Sequence, residues 1–274
     1  MADSTMLNIF IILIILLLLT LTVFYILNRL AKTPNFQIVG EFFNQVDTEE
    51  LVVALTYDDG PNPPYTNQLI TLLERFQIKA TFFVTGEKAS EYSDTVKLLV
   101  CAGHELGNHS YSHQKMIWKT PSFIKSEINK TDQILHKMGV KNKINFRAPY
   151  GLKLLVLPYI LSRLGKQNIL WNVDSKDYQE SNPEVIANNV VENVSPGSII
   201  LLHDGSAEGT SDRSVTITAT EILIQKLQAQ GYKFKTVSEL IEKNNKLGSN
   251  TLNWRPYKRA VRQKMVGVSN KGIA

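Results

Sequence analysis

Five short strings of the sequence hold side chains suited to hydrolysis: TYDDGP (56–61), NHSYSH (108–113), FRAPYG (146–151), DSKDY (174–178) and LLHDG (201–205). In the first, Asp58 and Asp59 end an apolar run, where two adjacent carboxylates are costly to desolvate without a cation or a basic partner. Neighbours in a strand point to opposite faces, so both acids reach one site only if the chain bends, which Gly60 and Pro61 allow. His109 and His113 are four residues apart, the spacing that puts two imidazoles on one side of a helical turn. Together Asp59, His109 and His113 make a two-histidine, one-carboxylate set with positions left open for water. Such a set suits zinc or another divalent metal, cobalt, nickel or manganese among them. Arg147 ends an apolar run and needs an acidic partner, for which Asp58 is the natural candidate. His203 ends another run, where an imidazole can donate a proton near neutral pH.

These residues lie far apart in sequence, so the fold must gather them. From Glu50 onward, short runs rich in β-branched and aromatic residues alternate with longer stretches of helical period, the pattern of parallel βα units. Strands are expected at 51–57, 79–86, 104–109, 144–149, 168–174, 198–204 and 232–237. Thr120-Pro121 and Asn182-Pro183 are helix starts, an N-cap followed by proline at the first helical position. Gly103, Gly139, Gly165, Gly197 and Gly231 stand between helical runs and the next strand, where a left-handed residue is wanted. Seven such units predict a closed or nearly closed α/β barrel, with an open doubly wound sheet as the alternative. Each candidate residue falls at or just beyond the carboxyl end of an expected strand, and in a βα barrel those ends converge.

Taken in order, TYDDGP, HSYSH, RAPYG, DSKDY and LLH resemble the five motifs of the polysaccharide deacetylase (NodB-homology) family of carbohydrate esterases, over roughly Leu51 to Leu240. The resemblance implies a distorted (β/α)7 barrel that uses a divalent metal, zinc first, to remove acetyl groups from N-acetylated sugars of a polymer such as peptidoglycan or chitin. It implies Asp58 as general base, Asp59, His109 and His113 as metal ligands, and Arg147 as the partner of Asp58. It further implies His203 as general acid oriented by Asp177, the Tyr150 N–H as an oxyanion donor, and Leu201 as a wall of the acetyl pocket. Tyr57 replaces the Phe often found in the first motif, and Tyr178 stands where many members have Trp, which alters that pocket. Removal of O-acetyl groups is a second hydrolytic reading, and a membrane-bound carbohydrate-binding protein without turnover is a reading of another class.

Outside these motifs, Leu7 to Leu27 is an uncharged run of 21 residues, long enough as a helix to cross a bilayer. The leader MADSTM has no basic residue, which favours an uncleaved anchor over a signal peptide. Arg29 and Lys32 follow the run and by the positive-inside rule would hold the domain in the cytoplasm, whereas a cell-wall substrate requires the extracytoplasmic side. The chain divides into an anchor at 1–32, a linker at 33–50, the catalytic domain at 51–241 and a basic tail at 242–274. Eight Lys and Arg against Glu242 give that tail +7, leaving −2 of the total +5 for the rest. The charge therefore speaks against nucleic acid as a partner; the tail is expected to be solvated and partly disordered, with contact to anionic polymer or lipid as the alternative. Cys101, the sole cysteine, excludes an intrachain disulfide and is expected as a small core residue.

Overall fold

The computed structural model of the protein describes residues 2–33, 37 and 39–247. The helices are α1 (Ala2–Ala31), α2 (Tyr65–Arg75), α3 (Gly86–Glu91), α4 (Ser93–Cys101), α5 (Pro121–Lys137), α6 (Val156–Arg163), α7 (Pro183–Asn193), α8 (Ser214–Ala229) and α9 (Val237–Leu247). The strands are β1 (Phe42–Phe43), β2 (Val52–Asp58), β3 (Thr81–Val84), β4 (Glu105–Asn108), β5 (Asn168–Ile169), β6 (Val173–Asp174), β7 (Ile199–His203) and β8 (Lys233–Phe234).

All strand pairings are parallel, in the order β4-β3-β2-β7-β6, with β8 added to β2 at Val52–Val53. Phe146 joins β4 to β5 through single-residue bridges to Asn108 and Asn168, β5 pairs in parallel with β1, and Gln45 just after β1 bridges Ser198 just before β7, which makes a distorted (β/α)7 barrel. Residues alternate along β2: Val53, Leu55 and Tyr57 pack outward against the helices, while Val52 and Ala54 join Phe83, Ile169 and Ile199 inside. Val237, Leu240 and Ile241 of α9 pack with that inner set and plug the amino-terminal end. The carboxyl-terminal end is left for polar side chains.

Both proline-marked helix starts are built by their caps. Thr120 Oγ1 accepts the Phe123 N–H at 3.3 Å, and Asn182 Oδ1 accepts the Glu184 N–H at 3.0 Å. The five glycines all have positive φ, between 65° and 100°.

Some expectations need correction. The strand expected at 144–149 is reduced to the bridges of Phe146, and that at 168–174 is split into β5 and β6. Side chains have taken over the ladder there: Arg147 binds the carbonyls of Ile169 and Leu170, and Asn172 Oδ1 accepts the Ile199 N–H. Within the stretch 33–50, β1 pairs with β5, Gln45 bridges Ser198 and Val46 is buried, so these residues belong to the barrel wall. Cys101 is exposed, because α4 buries the stripe Thr95, Val96 and Leu99 and its last residue faces away. From position 248 onward the basic tail lies outside the described residues.

Gly197 shows how tightly β7 is seated. It has φ 76°, its carbonyl accepts the Val46 N–H and its N–H donates to the Val52 carbonyl, and a Cβ there would lie 1.8 Å from the Val46 carbonyl oxygen. Gly165 has φ 65° but open space around it. Gly197→Ala should therefore lose about 3 kcal/mol or more, and Gly165→Ala about 1 kcal/mol, read by chemical denaturation. Equal losses would mean that backbone conformation, not close approach, sets the cost.

Candidate active site

Alternation places Thr56 and Asp58 on the inner face of β2, and Leu201 and His203 on the inner face of β7. Beyond Asp58 the chain turns sharply. Asp59 takes φ 72°, which returns its carboxylate to the same side as that of Asp58. Gly60 then runs so close to Asp204 that a Cβ would lie 2.1 Å from Asp204 Oδ2.

His109 and His113 do share a site, but not through a helical turn. They lie on an irregular loop after β4 in which Ser110 and His113 have positive φ, 66° and 53°. The loop is held by side chains: Asn108 Oδ1 accepts the Ser110 N–H, Ser110 Oγ accepts the His113 N–H, and Glu127 Oε2 accepts both the Tyr111 and Ser112 N–H groups. Such local bonds outcompete a helix. Buried Glu127 was not singled out in the sequence, where nothing marks it apart from the other acids of an amphipathic helix.

One ligand atom from each of Asp59, His109 and His113 lies within 4.8 Å of the others, and all three residues are buried. Asp59 Oδ1 is 3.0 Å from His113 Nε2 and 3.4 Å from His109 Nε2, yet no donor meets it in hydrogen-bonding geometry. The two Nε2 atoms face each other at 3.2 Å. His109 Nδ1 is 2.9 Å from the Arg147 carbonyl oxygen; donating there, it leaves the Nε2 lone pair for the site. Burial would raise the Asp59 carboxyl, but the two imidazoles hold it well below the usual range. An orphaned carboxylate oxygen and two converging imidazole nitrogens fit a divalent cation with nitrogen and oxygen ligands.

Asp58 is engaged elsewhere. Arg147 Nη1 donates to Asp58 Oδ1 at 2.7 Å and to Thr56 Oγ1 at 2.8 Å, while Nε and Nη2 donate to the Ile169 and Leu170 carbonyls at 3.1 Å. The guanidinium is fully buried, 4.0 Å above the Phe83 ring. Asp58 Oδ2 remains 3.6 Å from His109 Nε2, facing the cluster.

His203 lies on the other side. Its Nδ1 is 2.7 Å from Asp177 Oδ1, and Asp177 Oδ2 accepts the His203 N–H at 2.8 Å and the Thr216 hydroxyl at 2.9 Å. Burial pushes the imidazole down, but Asp177, with Asp59 and Asp58 adding, outweighs it and lifts His203 to about 9. Tyr178 is half-exposed, stands edge-on to the His203 ring at 5.4 Å and donates its hydroxyl to Asp174 Oδ2. Tyr150, at φ 59°, places its exposed ring 4.7 Å from that of His113, and its N–H has no hydrogen-bond partner among the described residues.

Two further residues touch the site without having been assigned a part. Asp204 follows His203 in LLHDG, accepts the Thr66 hydroxyl at 2.6 Å, and is raised to about 7 by burial, against Thr66 and with Asp59. Lys88 donates to the carbonyls of Asp59 and Ser206. The adjacency of Asp204 to His203 was a usable signal. Lys88 offered none.

Zinc titration should stabilise the protein by about 2.7 kcal/mol at a hundredfold excess over its Kd, seen as a rise in melting temperature. The shift should vanish in His113→Ala and Asp59→Asn and survive in Asp58→Asn. An equal shift in all three variants would show that zinc binds elsewhere.

Residues 45–169 match the family model described as Polysaccharide deacetylase. Over 199 residues the chain is 35% identical to a peptidoglycan-N-acetylglucosamine deacetylase of Bacillus cereus, covering 72% of this chain and 91% of the relative. The solved Bc1960 peptidoglycan N-acetylglucosamine deacetylase superposes with a TM-score of 0.68 at 29% identity, covering 72% of this chain and 91% of the other. A family-4 pseudoenzyme from Bacillus anthracis superposes with a TM-score of 0.67 at 28% identity, covering 74% and 70%. The chain belongs to the polysaccharide deacetylase (NodB-homology) family of carbohydrate esterases.

Proposed function

We propose that this enzyme is a zinc-dependent hydrolase that removes the acetyl group from N-acetylglucosamine residues of peptidoglycan, held by α1 on the extracytoplasmic face of the membrane. The observation that carries this reading is one cluster of three metal-type donors, flanked by a carboxylate held by arginine and an imidazole held by aspartate. The Bacillus cereus relative, named for that substrate, supports the choice of polymer. For the anchor, Thr5–Lys32 forms a helix long and apolar enough to cross a membrane, with its apolar side chains exposed all round.

Asp59, His109 and His113 would hold the cation, whose contribution is Lewis acidity toward water and toward the amide carbonyl. Asp58, oriented by Arg147, takes the proton of the attacking water as the new carbon–oxygen bond forms. The Tyr150 N–H is free to donate to the developing oxyanion, an interaction typically worth about 3 to 4 kcal/mol. His203 then protonates the sugar nitrogen as the carbon–nitrogen bond breaks, releasing acetate and a free amine. An imidazole raised to about 9 remains protonated at neutral pH, as this role requires. Leu201 and Tyr178, beside His203, wall the space for the acetyl methyl group.

Full-length protein should release acetate from peptidoglycan and chitooligosaccharides, lose this with EDTA and regain it with zinc. Absence of release from every such substrate would end the proposal. Because the general acid must be protonated, activity should decline as pH rises through about 9. Asp177→Asn removes the main partner that raises His203, so its decline should begin at lower pH, toward 6.5. An unchanged alkaline limb in the variant would remove His203 from the acid role.

A further inference from the structure

We propose that the catalytic face of the barrel lies against the bilayer, with Trp118, Leu155, Val156 and Tyr159 seated in the interface of a membrane containing anionic lipid. This rests on α1 being a membrane anchor, and it adds the direction in which the domain faces.

The path of the chain gives the direction. Lys153, just past Tyr150 at the site end of the barrel, donates its N–H to the Ala31 carbonyl at 3.1 Å and its Nζ to the Thr33 carbonyl at 2.8 Å. Gly40 lies against Pro158 and Ser162 of α6, and the Glu41 carbonyl accepts the Asn168 N–H at the start of β5. Ala31 and Thr33 thus lie at the carboxyl ends of the strands, and Glu41, just before β1, at the amino end of β5. The apolar helix therefore leaves the domain on the side where the site opens.

A ring contact gives the depth. Phe24 and Trp118 stack with centroids 5.5 Å apart. Phe24 is three residues before the end of the Leu7–Leu27 run, or about 4.5 Å along the helix, which sets Trp118 at the edge of the hydrocarbon, where tryptophans gather in membrane proteins. Met116 and Leu157 share one buried cluster, so the Trp118 loop and the start of α6 are neighbours. Between them they expose Trp118, Leu155, Val156 and Tyr159. Arg29 and Lys32 at the end of α1, with Lys115 and Lys119, supply positive charge at the headgroup level. Lys115 and Lys119 line a cleft of about 330 Å³ with His113, Tyr150 and the acid Glu208, and neither lysine forms a salt bridge among the described residues. The cleft would open into the headgroup layer, so the polymer reached would be polymer at the membrane surface.

The test uses full-length protein in phosphatidylcholine–phosphatidylglycerol vesicles. A fluorophore is placed on native Cys101, at the amino-terminal end of the barrel, or on the new cysteine of Cys101→Ser/Leu155→Cys and Cys101→Ser/Tyr159→Cys. Dibrominated lipid should quench the labels at 155 and 159 at least about twofold more than the label at 101. Lys115→Glu/Lys119→Glu should reduce that difference. Equal quenching at 101, 155 and 159 in protein that resists alkaline carbonate extraction overturns the docked face and leaves the anchor standing. Release by carbonate overturns the anchor, and the docked face with it. Neither result touches the deacetylase reading.

Discussion

The buried positive charge of Arg147 organises this barrel. The Arg147 guanidinium has no contact with solvent, and its hydrogen-bond partners are Asp58, Thr56 and the carbonyls of Ile169 and Leu170. A charge so placed is tolerable only with all its partners, and loss of one partner of a buried pair typically costs about 3 to 5 kcal/mol. The bonds to the two carbonyls explain why the sheet is irregular where Arg147 enters it. The bonds to Asp58 and Thr56 tie the segment around Phe146 to β2 across the interior, where that segment's strand pairing is limited to the single-residue bridges of Phe146.

The same charge divides the labour of two adjacent acids. Asp58 is held by arginine and Asp59 by two imidazoles, so neighbouring carboxylates of identical chemistry acquire separate surroundings. The left-handed backbone at Asp59 makes this possible, and it is one of several non-glycine residues in that conformation around the site, with Ser110, His113, Tyr150 and Lys176. Such conformations cost of order 1 to 3 kcal/mol each and persist where surrounding bonds overdetermine them. The bonds to Asn108 and Glu127 do so in the histidine loop.

Much of this was legible in the sequence, and for identifiable reasons. Strand positions followed from β-branched runs, helix starts from Thr120-Pro121 and Asn182-Pro183, and the convergence of Asp59, His109, His113 and His203 from their places at strand ends. The pairing of Arg147 with Asp58 followed from the need of a buried cation for an acid. Where a side chain replaced a main-chain partner, the pattern misled. Hydrophobic periodicity cannot show that Arg147 and Asn172 would satisfy ladder groups, or that Asn108 and Glu127 would build a loop where four-residue spacing suggests a helix. Cys101 sat in an apolar run, but the run belonged to a helix with one buried stripe, and the cysteine fell outside it.

The separation of the two acids is most directly tested by anomalous diffraction at the zinc edge from crystals of the zinc-loaded protein. One strong peak is expected in contact with Asp59, His109 and His113, with Asp58 still paired to Arg147 and not coordinating. A peak bound by Asp58, or zinc found only away from the two histidines, would contradict that separation.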